Sequence, residues 1–310
     1  MSSMHWNGML KSLSSPEKRG CIQTRNIFSK QTAYMKQFSV ITSVYKNDKP
    51  EFIRVALDSM LVEQSVKPNE IVLVQDGPVP YETSKLLLNY KHKYGETIFV
   101  IVLQENKGLG NALMLGVENA KYDIIARMDS DDICAPDRFE KQLAYLESHP
   151  ECDIVGGQIT EFIDTPDNIV GRRVVPCENM EIYQYMRSRC ALNHPTVMFK
   201  KEAVLDAGNY QDWFWNEDYY MWIRMMEQDC VFANLPDVLV NMRSGLDQYG
   251  RRGGLKYFKS EIGIKRLMLD KKMITRREYL INYIERFIIQ LMLPSSIRGW
   301  VFRKFARKNG

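Results

Sequence analysis

Between Phe38 and Met128 the chain repeats one unit, a short, mostly apolar run followed by a stretch with helical spacing. Phe38–Val44, Ile71–Val74, Ile98–Leu103 and Tyr122–Met128 are the apolar runs. Pro50–Glu63, Tyr81–Tyr94 and Leu109–Ala120 are the helical stretches, the first opened by a proline suited to a first turn. Runs that stay apolar, instead of alternating with polar residues, belong to strands covered on both faces. The pattern predicts an α/β fold with a parallel sheet between helical layers. Right-handed crossovers then bring the carboxyl ends of the strands to one edge, where open sheets of this kind bind ligands. At 310 residues there is room for one such domain with an appendage.

That edge collects four polar segments: Tyr45-Lys46-Asn47-Asp48, Gln75-Asp76-Gly77, Asn106-Lys107-Gly108 and Asp129-Ser130-Asp131-Asp132. The last is the most concentrated, with three carboxylates in four residues. Mutual repulsion makes such a spot costly. A hard divalent cation such as Mg²⁺ or Mn²⁺, often shared with substrate phosphates, relieves it. An acidic loop or a helix N-cap draws on the same residues, because aspartate is favoured in both places. Likewise Asp76-Gly77 reads as a turn as readily as a ligand contact, and Tyr45 as strand-end packing. Gly108 and Gly110 allow backbone to approach a ligand at a helix start, but their spacing is not the dinucleotide fingerprint.

Farther along, Arg138–Ser148 and Glu178–Arg189 read as helices, and Asp153–Phe162 and His194–Phe199 as strands. Asn216–Gln228 is an amphipathic helix opening with Glu217-Asp218, a pair that the helix dipole favours whatever else it does. Two closing helices fall at about 256–272 and 276–292. Residues 1–36 are polar and aperiodic, as in a flexible tail. A formal net charge of +4 is too small to argue for a nucleic-acid partner. Four histidines are few for a zinc enzyme. Six cysteines without a CxxC pair suggest the reduced thiols of a cytoplasmic protein. Neither a signal peptide nor an apolar run of roughly 18 residues is found.

Ser43-Val44-Tyr45, Gln75-Asp76-Gly77, Asn106-Lys107-Gly108, Asp129-Ser130-Asp131-Asp132 and Glu217-Asp218-Tyr219 come in the order and spacing of family 2 glycosyltransferases. From Phe38 to Arg243 the chain resembles the members that build bacterial capsular, exopolysaccharide or O-antigen repeat units. The resemblance implies a GT-A fold, a Rossmann-like, mostly parallel sheet flanked by helices. Its nucleotide-binding half would be 37–135, its acceptor half 136–245, and a C-terminal helical extension 246–310. The implied reaction is an inverting, metal-dependent transfer from a nucleotide-sugar, preferentially a UDP-sugar. Asp131 would be the direct Mn²⁺ or Mg²⁺ ligand, Asp129 would contact the ribose or the metal shell, and Asp132 would support the site. Thr42, Ser43, Tyr45, Asp76, Asn106, Lys107 and Gly108 would hold the nucleotide, with Tyr45 against the base and Asp76 accepting from the uracil ring. Asp218 would take the acceptor hydroxyl proton, with Glu217 orienting the acceptor or buffering the base. His194 and Trp215 are candidates for the acceptor side. Where many relatives carry an extra histidine ligand, this chain has Asn241-Met242-Arg243-Ser244-Gly245. Arg243, Arg251 and Arg252 are therefore candidates to neutralise the diphosphate.

Ile281, Ile284, Ile288 and Leu291 share one helical face. Beyond Pro294, Trp300, Val301, Phe302 and Phe305 are interspersed with Arg298, Arg303, Lys304, Arg307 and Lys308. That pattern suits a membrane-surface helix, or a terminal helix packed on the domain with a solvated basic face. Docking would match an acceptor sugar on a polyprenyl-diphosphate carrier, with the protein peripheral on the inner face of the cytoplasmic membrane. Two other functions fit the residues less well. A nucleotidyltransferase needs a Gly-rich basic loop after the first strand, and Ser43–Asp48 is not one. A catalytically silent scaffold in a polysaccharide-assembly complex has no chemical need for both Asp131 and Asp218.

Overall fold

Strand β1 (Phe38–Val44) lies at the centre of the sheet's first half, hydrogen-bonded in parallel to β2 (Glu70–Gln75) on one side and β4 (Ile124–Arg127) on the other. Beyond β2 comes β3 (Ile98–Val102), also parallel. The crossovers are α1 (Pro50–Leu61), α2 (Tyr81–Tyr94) and α3 (Leu109–Asn119). The computed structural model describes residues 36–245 and 253–294. Arg251, Arg252, the polar segment before Lys36 and the basic segment after Pro294 lie outside the described residues.

The period of two in a strand sorts these residues onto two faces. Ile41, Val72 and Ile125 join a core with Leu113 and Val117 of α3. Val40, Val44 and Leu73 join the other core, with Ile53, Leu57 and Met60 of α1 and Leu87 of α2. Both faces are covered, which is why these strands carry no polar alternation.

The second half of the sheet is mixed. The two-residue β5 (Ile133–Cys134) leads to α4 (Arg138–Ser148), β6 (Ile154–Phe162) and β7 (Ile169–Arg173). After α5 (Asn179–Met186) come β8 (Met198–Lys200), α6 (Lys201–Asp206), α7 (Glu217–Glu227) and β9 (Phe232–Arg243). The strand order is β3-β2-β1-β4-β8-β6-β9-β5, with β7 on β6. Only β6 and β9 are parallel here; β4–β8, β6–β8, β6–β7 and β5–β9 are antiparallel. The expected strand at His194–Phe199 shortens to β8, because His194–Thr196 forms a 3₁₀ turn with Pro195 in its first turn, where a fixed φ and a missing N–H are tolerated.

Helices α8 (Leu255–Asp270) and α9 (Arg276–Phe287) close the described chain, with a wider turn at Ile288–Met292. Thr275 caps α9 reciprocally with Glu278: its hydroxyl accepts from the Glu278 N–H, and its own N–H donates to the Glu278 carboxylate. Among the described residues, no helix is long and apolar enough to cross a membrane.

Candidate active site

The order β2-β1-β4 sets the carboxyl ends of three parallel strands side by side, and the polar segments after them meet there. Asp48 accepts from the Tyr45 N–H at 3.0 Å and from the Ser130 hydroxyl at 2.9 Å, tying the loop after β1 to the acidic run after β4. Burial, followed by the charges of Asp129 and Asp48, pushes Asp131 up to about 7. Burial likewise raises Asp48 to about 6. Asp132 is raised well above the usual carboxylate range, by burial first and the Asp131 charge second. One of its oxygens accepts from the Arg243 N–H at 2.8 Å, and Oδ2 is buried with no hydrogen-bond partner among the described residues. Crowded, desolvated carboxylates with an unsatisfied oxygen have the chemistry a hard cation relieves. No group of three or more His, Cys, Asp or Glu among the described residues forms a coordination cage. The donor set therefore suits an ion held by one or two carboxylates together with substrate phosphates, as Mg²⁺ commonly is.

This crowding has a measurable consequence. The folded protein holds these protons to pH 6–7, whereas an unfolded chain releases them near pH ~4. Stability linked to the neutral forms is complete below that lower value and is lost as pH rises through 6 to 7. With a chelator present, Asp131→Asn is expected to raise the Tm at pH 8 by about 2–4 °C, roughly 1 kcal/mol, and to leave it unchanged at pH 4.5. A differential scanning experiment at both pH values decides it; equal effects at the two would count against the repulsion.

Asp129 has a different environment. The buried Arg127, the last residue of β4, grips it with Nη1 to Oδ2 at 2.6 Å and Nη2 to Oδ1 at 2.5 Å. Both oxygens of Asp129 are thus engaged by a cation of the chain itself, and its side chain stays a third exposed. Burial disfavours the guanidinium charge, yet Asp129, Tyr210 and Asp132 hold its pKa above the ordinary value. A charged residue inside an otherwise apolar, fully buried strand was the signal available in the sequence.

Asp76, after β2, organises the segment before α3. It accepts from the Lys107 N–H at 2.6 Å, the Gly108 N–H at 2.9 Å and the Asn106 Nδ2 at 2.8 Å. With three donors already on its carboxylate, it shapes the loop, and a uracil contact is left at most one lone pair. Gly77 follows with φ +87°, and a Cβ there would lie 2.6 Å from the Asn106 nitrogen. Gly77→Ala is expected to displace Asn106–Gly108, weaken nucleotide binding about tenfold and cost about 1–3 kcal/mol. Titration with nucleotide alongside a melting curve tests both parts.

Tyr45 is 38% exposed at the end of β1, and Ser43 is half-buried. Thr42 is buried within β1 and its hydroxyl has no partner among the described residues. The side chain shares the parity of Val40 and Val44, which face α1. Lys107 is exposed.

Glu217 and Asp218 open α7. The Glu217 carboxyl is pushed up to about 7 by burial and then by the Asp218 charge. Asp218 accepts from the Tyr219 N–H at 2.6 Å, and its Oδ2 lies 3.9 Å from the Nδ1 of His194. The other ring nitrogen of His194 is 3.0 Å from the Tyr210 hydroxyl. Burial and the nearby Arg127 keep His194 well below its usual pKa, hence neutral. Arg127 acts at once on Asp129, Asp132, Glu217 and His194. The two acidic groups, distant in sequence, therefore share one buried cation. At Gly110 an added Cβ would sit 3.3 Å from the Glu217 Cβ, so the first turns of α3 and α7 pack directly together.

Trp215, just before this pair, is 52% exposed at φ +56°, with its ring stacked on Phe214 at 4.8 Å. Trp213 is structural: it donates to the Ser260 carbonyl at 3.0 Å and stacks on Tyr220 at 4.3 Å. Arg243 is also committed. Its guanidinium lies 3.8 Å from the Phe52 ring centre and 4.7 Å from that of Phe162, and it donates to the carbonyls of Asp131 and Asp164 at 3.1 Å each. Through the Asp131 contact it braces the acidic run. A residue missed in the sequence is Lys265 of α8, buried and lowered to about 7 by that burial. It donates to the Tyr219 hydroxyl at 2.5 Å and the Arg187 carbonyl at 3.2 Å, pinning the residue next to Asp218.

The model for glycosyl transferase family 2 matches residues 39–212. The chain belongs to that family. Among relatives of this glycosyltransferase, the amylovoran biosynthesis glycosyltransferase AmsE of Erwinia amylovora is 38% identical over 267 residues, 86% of this chain and 98% of its own. The UDP-Gal:alpha-D-GlcNAc-diphosphoundecaprenol beta-1,3-galactosyltransferase of Escherichia coli is 33% identical over 272 residues, 88% of this chain and 97% of its own. Among solved structures, the mannosyltransferase PcManGT of Pyrobaculum calidifontis, in complex with GDP-Man and Mn²⁺, matches with a TM-score of 0.58 at 15% identity. That likeness covers 86% of this chain and 74% of the other, and it is one of fold: the glycosyltransferase has the GT-A fold.

Proposed function

We propose that this glycosyltransferase transfers a sugar, with inversion, from a UDP-sugar to a hydroxyl of a lipid-linked glycan in bacterial surface polysaccharide biosynthesis. The observation that carries it is the pairing of two acidic groups, Asp48/Asp131/Asp132 and Glu217/Asp218, around the buried Arg127. An inverting transfer needs both: a place to neutralise a leaving diphosphate and a base on the acceptor side. Asp131 and Asp132 would hold a Mn²⁺ or Mg²⁺ ion, which when bound supplies positive charge to the departing diphosphate. Asp218 would take the acceptor proton, with the neutral His194 ring beside it, Nδ1 3.9 Å from its Oδ2. Tyr45 offers an exposed ring to a nucleobase at the strand edge. A UDP donor and a diphospholipid acceptor follow the relative whose name specifies both. Two other neighbours support the class more broadly: AmsE is named for amylovoran biosynthesis, and PcManGT holds GDP-Man.

Calorimetric titration of UDP and GDP, with and without Mn²⁺, tests the donor site. UDP is expected to bind tightly only with metal, and Asp131→Ala to weaken it by about 100-fold, in the range of losing a charged contact. Absence of nucleotide binding under every condition would return the scaffold role to the front.

A further inference from the structure

Helix α9 is turned inside out. A surface helix ordinarily buries its apolar stripe and shows polar residues to water. Here Asn282, Arg286 and Gln290, spaced four apart, are the buried residues of the α9 segment. Each has partners: Asn282 Nδ2 donates to the Arg187 carbonyl at 3.2 Å, Arg286 Nη2 donates to the Ser188 carbonyl at 2.6 Å and its guanidinium forms an ion pair with Glu261 at 2.7 Å, and Gln290 donates to Glu261. The inward polar face is therefore a built interface with the rest of the chain. The opposite face carries Leu280, Ile281, Ile284, Phe287, Ile288 and Met292, each 41–65% exposed. Leaving that much contiguous apolar surface in water is unfavourable, and such patches mark interaction sites.

We propose that the outer face of α9 is a docking surface for anionic lipid, seating the enzyme at a membrane interface. Three observations select lipid as the occupant. Arg276 and Arg277 stand exposed at the start of the helix, where phosphate headgroups would meet them. The sequence running on from the helix, residues 295–310, adds Arg298, Arg303, Lys304, Arg307 and Lys308, three aromatic residues and no acid. Finally, six side chains, four on the 12-residue helix and two on the turn that continues it, fall well short of the ~800 Å² per partner of a stable protein interface, but suffice for shallow insertion at the headgroup boundary. Glu285 flanks the face and is occupied by Arg286 and Arg189. The proposal deepens the lipid-linked acceptor reading, on which its purpose rests: α9 is bonded through Glu261 to α8, whose Lys265 holds Tyr219 beside the proposed base.

The test is co-sedimentation of the full chain with vesicles of phosphatidylglycerol and phosphatidylethanolamine, against vesicles of phosphatidylcholine alone. No acceptor or nucleotide is present, so the outcome is independent of sugar transfer. Wild type is expected to partition onto the anionic vesicles, and Ile281→Gln/Ile284→Gln/Ile288→Gln to bind at least about tenfold less, with an unchanged melting temperature because the replaced side chains are exposed. Hydrogen exchange on wild-type protein gives a second reading without mutation, slower over 280–292 when vesicles are added. Equal partition of wild type and triple variant, failure of wild type to bind, or unchanged exchange over 280–292 in vesicle-bound protein would overturn the proposal. So would light scattering that shows a dimer broken by the substitutions while vesicle binding persists.

Discussion

Asp218→Asn is expected to lower kcat by about 10³, within the range for removing a general base, while the affinity for UDP with Mn²⁺ changes less than about threefold. Asparagine keeps the size of the side chain and an oxygen to accept the Tyr219 N–H, so α7 should begin as before. What it loses is the ability to take a proton. Steady-state rates and calorimetry on the same preparation separate the two effects. A matched loss in nucleotide affinity would instead make Asp218 part of the donor site. The neighbouring Glu217 supplies a pH signature. Because burial and the Asp218 charge hold its proton up to about 7, the pair titrates as a unit, and kcat should rise with pH through that region. In Glu217→Gln the inflection should move or vanish, since one member of the pair no longer titrates.

The largest effect on stability is expected at Arg127. Replacing it with leucine removes a buried positive charge set against both Asp129 and Asp132. It also leaves the half-buried Asp129 without its bidentate partner. Breaking a buried pair on one side costs about 3–5 kcal/mol, or on the order of 10 °C in Tm for a chain this long. Arg127→Lys keeps the charge but not the two-pronged geometry, and should fall between. The deficit should narrow toward acid pH, as Asp132 takes up a proton and no longer needs the cation. Melting curves of the three proteins at pH 8 and pH 5 check the order. A leucine variant as stable as wild type would mean that the acidic groups are compensated elsewhere.

The candidate site was legible in unequal parts. Strand ends that bear Asp and Gly could be read directly, because a buried parallel strand is an unbroken apolar run and the residues after it must lie at an edge. Asp131 emerged that way, and Asp218 as half of an acid pair at the start of an amphipathic helix. The partnerships among polar residues were hidden. Nothing in the local sequence says that Asp76 is taken up by the Asn106–Gly108 backbone, or that Arg243 lies between Phe52 and Phe162. Each of these is a contact between elements far apart in the chain, and the residue type alone fits several partners. The burial of Thr42 was hidden too, because it depends on which face of β1 the two-residue period turns toward α1. Strand β7 was missed because its apolar pair, Ile169 and Val170, is cut short by Gly171 and two arginines and lies exposed.

By itself the sequence determined the parallel half of the sheet, the placement of the acidic run at its carboxyl edge, and the acid pair at the start of a helix. Those features come from periodicity, which depends on residues a few positions apart. Only the tertiary structure decided that Arg127 serves both acidic groups, that His194 is neutral beside Asp218, and that α9 faces outward with its apolar side. These depend on burial and on which charges share a low-dielectric space, and both are set by the packing of distant segments.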